Sequence, residues 1–173
     1  VGNGTNTGDV VISANITPAN FSTLAIRTAG AVSEASSYAI TIANLGVSAG
    51  GNVSLAGQNN TTTLAITSSG TTPTVAYTEA TGGTYTPGTV DSISANFGVI
   101  TQYSVANAPT TGYLNTNFSP APVVTVKDVY NNVISAQNAA TNTVTASTAS
   151  AGFTLGGTTS YTIVGGTFTF SAL

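Results

Sequence analysis

The chain has 173 residues, of which 41% are hydrophobic and only 4% are charged, against roughly 25% charged residues in an average soluble domain. Two positive side chains, Arg27 and Lys127, are too few to hold a nucleic-acid backbone, and the apolar content is too high for a disordered polar tract. The lack of Cys and His excludes disulfides, zinc–thiolate sites and histidine as a general base.

The residue types favour an all-β protein with almost no helix. Glu, Lys and Arg, which usually cover the exposed faces of helices, are nearly absent, while Thr, Val, Gly and Asn, which favour strands and turns, are abundant. Low charge also suits stacked strands, because like charges in neighbouring strands would repel one another. No apolar run is long enough to cross a bilayer as a helix, so we expect a protein that does not span a membrane.

Short apolar runs separated by Gly and Asn turns fill the first hundred residues. The runs lie at 10–12, 24–26, 39–42, 45–47, 53–55 and 64–66. Such short, closely spaced strands suit a solenoid better than a sandwich of hairpins. We therefore predict parallel pairing over residues 8–106. The side chains predicted to point inward are Val11, Ile26, Ile42, Val53 and Leu64.

Three phrases within this segment resemble a known family. The runs RTAGAVSEA at 27–35, ITIANLGVSAGGNVSLAG at 40–57 and PGTVDSISA at 87–95 are similar to repeats of filamentous-haemagglutinin-type exoproteins. In that family the repeats coil into a right-handed parallel β-helix that projects from the bacterial surface. The resemblance covers roughly residues 8–106 and implies a stalk of a secreted adhesin.

A boundary is predicted near residue 108. The stretches 108–112 and 119–122 are rich in Pro and Gly, and the run VVTVKDVYNNV at 123–133 follows them. This run resembles the opening of a bacterial immunoglobulin-like domain. We therefore predict a β-helix-like segment at 1–108 and an immunoglobulin-like β-sandwich at 109–173. The sandwich is expected to be incomplete, because a full one needs about seven strands.

The end of the chain is predicted to form a hairpin over residues 159–170, with Phe168 and Phe170 on one face. An incomplete sheet of this kind leaves an apolar groove and an unpaired edge. Either the native polypeptide continues beyond Leu173, or a strand from a neighbouring subunit completes the sheet. Both explanations predict self-association of the isolated chain, or contact with neighbouring domains of the same polypeptide.

One turn is a candidate calcium site. Asp128, Asn131 and Asn132 form an oxygen-rich turn, and calcium prefers oxygen ligands. Hydrogen bonding within an Asx turn explains the same residues with a single carboxylate and no ion. Apart from this calcium candidate, no cofactor is expected.

No catalytic site is expected. Glu79 and Asp91 are the nearest approach to the carboxylate pair of a glycosidase, and their spacing suits solvated turn residues better. A sugar-binding face could be formed by aromatic side chains, although scattered strand aromatics more often pack in a core or across strands. The tyrosines concerned are Tyr77, Tyr85, Tyr103 and Tyr113.

These observations favour a secreted protein located at a cell surface or in an extracellular filament. The first hypothesis is a stalk or module of a bacterial adhesin, and the alternative is a filament subunit completed by donor-strand exchange. A carbohydrate-binding or polysaccharide-degrading β-helix is a distant third. Asparagines in N-glycosylation sequons are candidate modification sites. They are Asn3, Asn15, Asn20, Asn52, Asn59, Asn60 and Asn117.

Overall fold

The structure is a computed structural model that describes residues 5–113, 115–135, 141–148, 154–164 and 166–173. These residues form fifteen β-strands and no helix, which confirms the prediction of an all-β protein. In the described part of the chain no helix could span a membrane.

Eight strands wind into a β-solenoid of about four turns, which confirms the predicted repeat architecture. These strands are β1 (Val10–Ile12), β2 (Thr23–Thr28), β3 (Val32–Glu34), β4 (Asn44–Ala49), β5 (Val53–Asn59), β6 (Thr63–Ser68), β7 (Val75–Glu79) and β8 (Thr86–Pro87). The odd-numbered strands stack as one parallel sheet, sheet 1, and the even-numbered strands stack as a second, sheet 2. Isolated parallel bridges between Ile16 and Ile40, and between Thr41 and Asn60, form a short third side.

Side chains of the same type stack from turn to turn inside the solenoid. Sheet 2 carries Leu24, Leu45 and Leu64 in register, spaced 21 and 19 residues apart. Another column in sheet 1 consists of valines: Val10, Val32, Val53 and Val75. Because each turn buries its apolar residues against the turns on either side, the columns form one continuous core.

The predicted inward side chains agree with the structure at Ile26, Ile42, Val53 and Leu64, which are all buried. The prediction for Val11 was wrong, because its side chain is 67% exposed and the next residue, Ile12, is buried instead. In a strand of three consecutive apolar residues, alternation cannot show which face points inward.

A small hairpin covers the outer face of sheet 2. Strands β9 (Thr89–Val90) and β10 (Ile93–Ser94) pair antiparallel around Asp91 and Ser92, whose φ angles of 47° and 63° are those of a tight two-residue turn. The hairpin packs on small outward residues of sheet 2. At Gly46 a Cβ atom would lie 3.1 Å from Ile93 Cδ1, so a larger residue there would push the hairpin away.

Among the described residues, the second unit has five antiparallel strands in two sheets. They are β11 (Gln102–Ala106), β12 (Val123–Lys127), β13 (Thr141–Thr145), β14 (Ser160–Val164) and β15 (Thr167–Thr169). One sheet has the order β11-β12-β15, and the other pairs β13 with β14. Strand β11 pairs antiparallel with β12 and so belongs to this unit, although it lies before the boundary predicted at residue 108 and within the segment predicted to pair in parallel.

The predicted hairpin at residues 159–170 was wrong. Strand β14 pairs with β13, while β15 pairs with β12, so the chain passes from one sheet to the other. The reason is aromatic packing between the sheets: Tyr161 lies 3.9 Å from Phe168 and 5.3 Å from Phe170 between ring centroids. Phe168 and Phe170 do pack together, as predicted for one face, at 5.1 Å.

The last residues pack into the core of this unit. Leu173 is 8% exposed, and its carbonyl accepts a hydrogen bond from the Phe118 amide at 2.8 Å. Phe170 is also buried. The apolar groove expected at this end is therefore filled in part by the final residues themselves.

Candidate functional site

A tight turn at residues 128–132 joins the second unit to the solenoid; we call it the docking turn. Asp128 is fully buried, and its Oδ1 accepts hydrogen bonds from the amides of Tyr130 and Asn132, both at 3.0 Å. Its Oδ2 accepts from the Gly98 amide at 3.1 Å and from Asn132 Nδ2 at 3.2 Å. This is an Asx turn whose carboxylate has four N–H donors, which offset the cost of burying it.

Two side chains of the docking turn contact the solenoid directly. The Tyr130 hydroxyl accepts a hydrogen bond from the Ser68 amide at 2.7 Å, at the end of β6. Asn132 Nδ2 donates to the Val75 carbonyl at 2.9 Å, at the start of β7. The turn thus uses backbone groups at the ends of two solenoid strands.

A cavity of about 250 Å³ lies at this junction. Its walls include three aromatic rings, Tyr77, Tyr85 and Phe97, and the polar side chains of Asp128 and Asn132. Tyr77 meets Tyr85 edge-on at 5.3 Å and Phe97 at 6.3 Å between ring centroids. The cavity is therefore a narrow space beside a packed aromatic cluster.

The candidate calcium ligands are close together, and they have other partners. Asp128 holds the turn, Asn132 contacts β7, and Asn131 Oδ1 accepts a hydrogen bond from Lys127 Nζ at 3.0 Å. Across the described residues no group of three or more His, Cys, Asp or Glu side chains could hold a metal ion. The contacts favour the Asx-turn interpretation over the calcium interpretation.

A second polar cluster lies inside the solenoid, where sequence reasoning expected only apolar side chains. Glu34, 4% exposed, accepts hydrogen bonds at Oε2 from the Gly57 amide and from Asn59 Nδ2, both at 3.0 Å. Asn59 is fully buried, and its Oδ1 accepts from the Ile40 amide at 2.7 Å. Its register partner in the next turn is Glu79. No local sequence pattern predicts this cluster, because Glu34, Asn59 and Glu79 become neighbours only when the turns stack in register.

The prediction that Glu79 is a solvated turn residue was wrong. It ends β7 and is 3% exposed. Its Oε2 accepts a hydrogen bond from the Tyr77 hydroxyl at 2.6 Å, and the same hydroxyl lies 2.9 Å from Thr61 Oγ1. Its Oε1 is buried and makes no hydrogen bond of normal geometry.

Burial shifts the Glu79 carboxyl and the Tyr77 hydroxyl toward their neutral forms, because it raises the pKa of each. It raises the pKa of the Glu79 carboxyl above its ordinary value of 4.5, against the opposing effect of the Tyr77 hydroxyl and of nearby amides. Burial, followed by the neighbouring Glu79 carboxylate, also raises the pKa of the Tyr77 hydroxyl far above 10.0.

The structure does not bring Glu79 and Asp91 together as an acid pair. Glu79 lies inside the solenoid, whereas Asp91 lies at the tip of the β9–β10 hairpin and forms an ion pair with Arg27 at 2.6 Å. Nor do the four candidate tyrosines share a face. Tyr77 and Tyr85 belong to the core cluster of the solenoid, while Tyr103 and Tyr113 are 49% and 81% exposed.

The sequon asparagines differ in exposure. Asn3 lies outside the described residues. Asn59 is fully buried, which makes it unsuitable for a glycan in the folded chain. The Oδ1 atoms of Asn15 and Asn52 each accept a backbone hydrogen bond at 3.0 Å, although both side chains are exposed. The remaining candidates, also exposed, are Asn20, Asn60 and Asn117.

Comparison with known proteins finds no matching family model, no matching curated protein and no matching solved structure.

Proposed function

We propose that this chain is a structural and adhesive segment of a secreted bacterial surface protein. In this proposal the solenoid serves as a stalk, and the antiparallel unit is an immunoglobulin-like module at its end. The resemblance of residues 27–57 and 87–95 to filamentous-haemagglutinin-type repeats supports the stalk. The solenoid of about four turns agrees with that resemblance at the level of the fold.

The observation that carries the proposal is the docking turn. A flexible linker between two modules would leave few contacts across the boundary. Here Tyr130 bonds to the end of β6, Asn132 bonds to the start of β7, and Asp128 is fully buried beneath them. A load-bearing rod needs such a stiff joint, whereas an enzyme needs a cleft with reactive groups.

The test has two parts in the source organism. Antibodies raised against the purified chain should label intact, unpermeabilised cells, and deletion of the coding region should lower attachment under flow. Unlabelled intact cells, or unchanged attachment after deletion, would contradict the proposal.

Joint variants make the test specific. Tyr130→Phe with Asn132→Ala removes the side-chain hydrogen bonds of the turn to Ser68 and Val75, so cells should remain labelled and detach at lower shear. Val129→Ala changes an exposed side chain of the same turn, 50% exposed, and should behave as wild type. Equal detachment of the two strains would contradict a load-bearing role of the joint.

A filament subunit is the second candidate, and strand β11 favours it. All five of its residues are exposed, including Tyr103 and Val105, and among the described strands it pairs only with β12. An exposed apolar edge is a template for strand addition. Light scattering should then show association that rises with concentration and is lost in Val105→Lys. A monodisperse monomer at all concentrations would remove this candidate.

A further inference from the structure

A buried carboxyl lies inside the solenoid at the end of β7, next to a side chain that reaches the junction. Glu79 is 3% exposed, and its Oε1 makes no hydrogen bond of normal geometry. Its Oε2 contacts Tyr77, whose ring lines the junction cavity. The carboxyl is therefore connected through one side chain to the surface that receives the second unit.

Within the part of the chain that the structure describes, no positively charged side chain pairs with this carboxyl. The chain has two cationic side chains and no His; Arg27 is paired with Asp91, and Lys127 is bonded to Asn131. The ionisable groups on the elements around Glu79 are Tyr77 and Tyr85, and Glu34 lies beyond Asn59 along the same stack. An anionic Glu79 would thus face only neutral groups and a second acidic residue.

The neutral form fits the neighbouring contacts. A protonated Oε2 can donate to the Tyr77 oxygen, and Tyr77 can then donate to Thr61 Oγ1, since the two separations are 2.6 and 2.9 Å. On ionisation the proton leaves to bulk water, and Tyr77 turns its hydroxyl toward the carboxylate. The remaining oxygen, Oε1, then carries charge without a hydrogen bond of normal geometry, and the nearby Thr61 and Ala80 amides offset only part of the cost of burial.

A glycine turn covers that oxygen. The Gly83 amide donates to the Ala80 carbonyl at 2.8 Å, and Gly82 has a φ of 79°. A Cβ atom on Gly83 would lie 2.6 Å from Glu79 Oε1, so the backbone of this turn lies directly over the carboxyl. Displacement of residues 80–83 would therefore expose Oε1 to water.

We propose that Glu79 is a proton-controlled latch, closed when protonated, whose ionisation opens the 80–83 turn and loosens the last turn of the solenoid at its junction with the second unit. The raised pKa of the carboxyl agrees with this direction. Because the closed state binds the proton more tightly than the open state, closure is complete below about pH 4.5 and is lost as the pH rises through the pKa of the closed state.

Carbon-13 NMR of the full chain tests the titration itself. Glutamate labelling of the carboxyl carbon gives only two signals, from Glu34 and Glu79, and the signal missing in Glu79→Gln identifies the latch. We expect that signal to titrate with a midpoint above 4.5. A midpoint at or below 4.5 would overturn the proposal. If Glu79→Gln does not fold, Glu34→Gln assigns the two signals instead, and the midpoint is still measured on the wild type.

Hydrogen exchange tests the opening. After correction for the intrinsic rate, protection of residues 77–86 in the wild type should fall about tenfold for each pH unit between 4.5 and the midpoint found by NMR. Glu79→Gln should keep its protection across that range, while Asp91→Asn, which removes an exposed carboxylate, should keep the wild-type pH dependence. Protection that does not change with pH in the wild type, or that falls equally in Glu79→Gln, would show that Glu79 is not the latch.

Discussion

The leucine column of sheet 2 allows a quantitative test of the solenoid. Leu45 is fully buried between Leu24 and Leu64, its register partners in the adjacent turns, whereas Leu24 is half-buried in the first described turn. Leu45→Ala removes the side-chain atoms that fill the space between two rigid turns, and neither neighbour can collapse into it without breaking register.

The expected magnitude follows from this enclosure. Buried Leu→Ala substitutions cost about 2–5 kcal/mol, the larger values occurring where the cavity does not collapse. We therefore expect Leu45→Ala to lower the free energy of unfolding by about 4 kcal/mol and Leu24→Ala by about 2 kcal/mol, because Leu24 is already partly in contact with solvent. The volume-conserving control Leu45→Met should cost less than about 1.5 kcal/mol.

Urea unfolding followed by far-ultraviolet circular dichroism measures these differences, with the slope of each transition compared to check that one transition is observed. Equal costs for Leu45→Ala and Leu24→Ala would contradict the stacked register. A cost below about 1 kcal/mol for Leu45→Ala would contradict its burial.

Two further predictions use the same measurement. Gly57→Ala should lower the free energy of unfolding by more than about 2 kcal/mol, because its Cβ would lie 1.9 Å from the Tyr38 carbonyl oxygen. The control Gly156→Ala, where nothing lies within 4 Å of the added Cβ, should leave stability unchanged or slightly raise it. Similar costs for Gly57→Ala and Gly156→Ala would refute the close approach of Gly57 to Tyr38. Above pH 10, the wild type should lose stability as Tyr77 ionises in the unfolded chain but not in the folded one. Tyr77→Phe should lose less stability for each pH unit, while the control Tyr113→Phe, at an exposed tyrosine, should keep the wild-type slope. Identical slopes for the wild type and both variants would contradict the raised pKa of Tyr77.

The sequence predicted the candidate site only in part. The run at 128–132 stood out as an oxygen-rich turn, and the structure places it at the junction. Its partners, Ser68 and Val75, are more than fifty residues earlier in the chain. No local pattern reports such a contact, so the sequence indicated only a local Asx turn, with calcium binding as the alternative.

The sequence by itself determined the class of the fold. Scarce charge, abundant Thr and Val, and short apolar runs between Gly and Asn turns reflect local preferences, and these correctly indicated an all-β chain with a β-solenoid. The inward direction of Ile26, Val53 and Leu64 was also predicted correctly from their positions in the short apolar runs.

Only the tertiary structure decided which strands pair and which polar groups are buried. Phe168 and Tyr161 contact each other between two sheets rather than across one hairpin, because aromatic burial between sheets outweighs the short loop that favours local pairing. Glu79 was predicted to be a solvated turn residue, yet it lies in the interior, as does Glu34. They do so because stacking of turns roughly twenty residues apart sets their environment, and that register is a property of the whole solenoid.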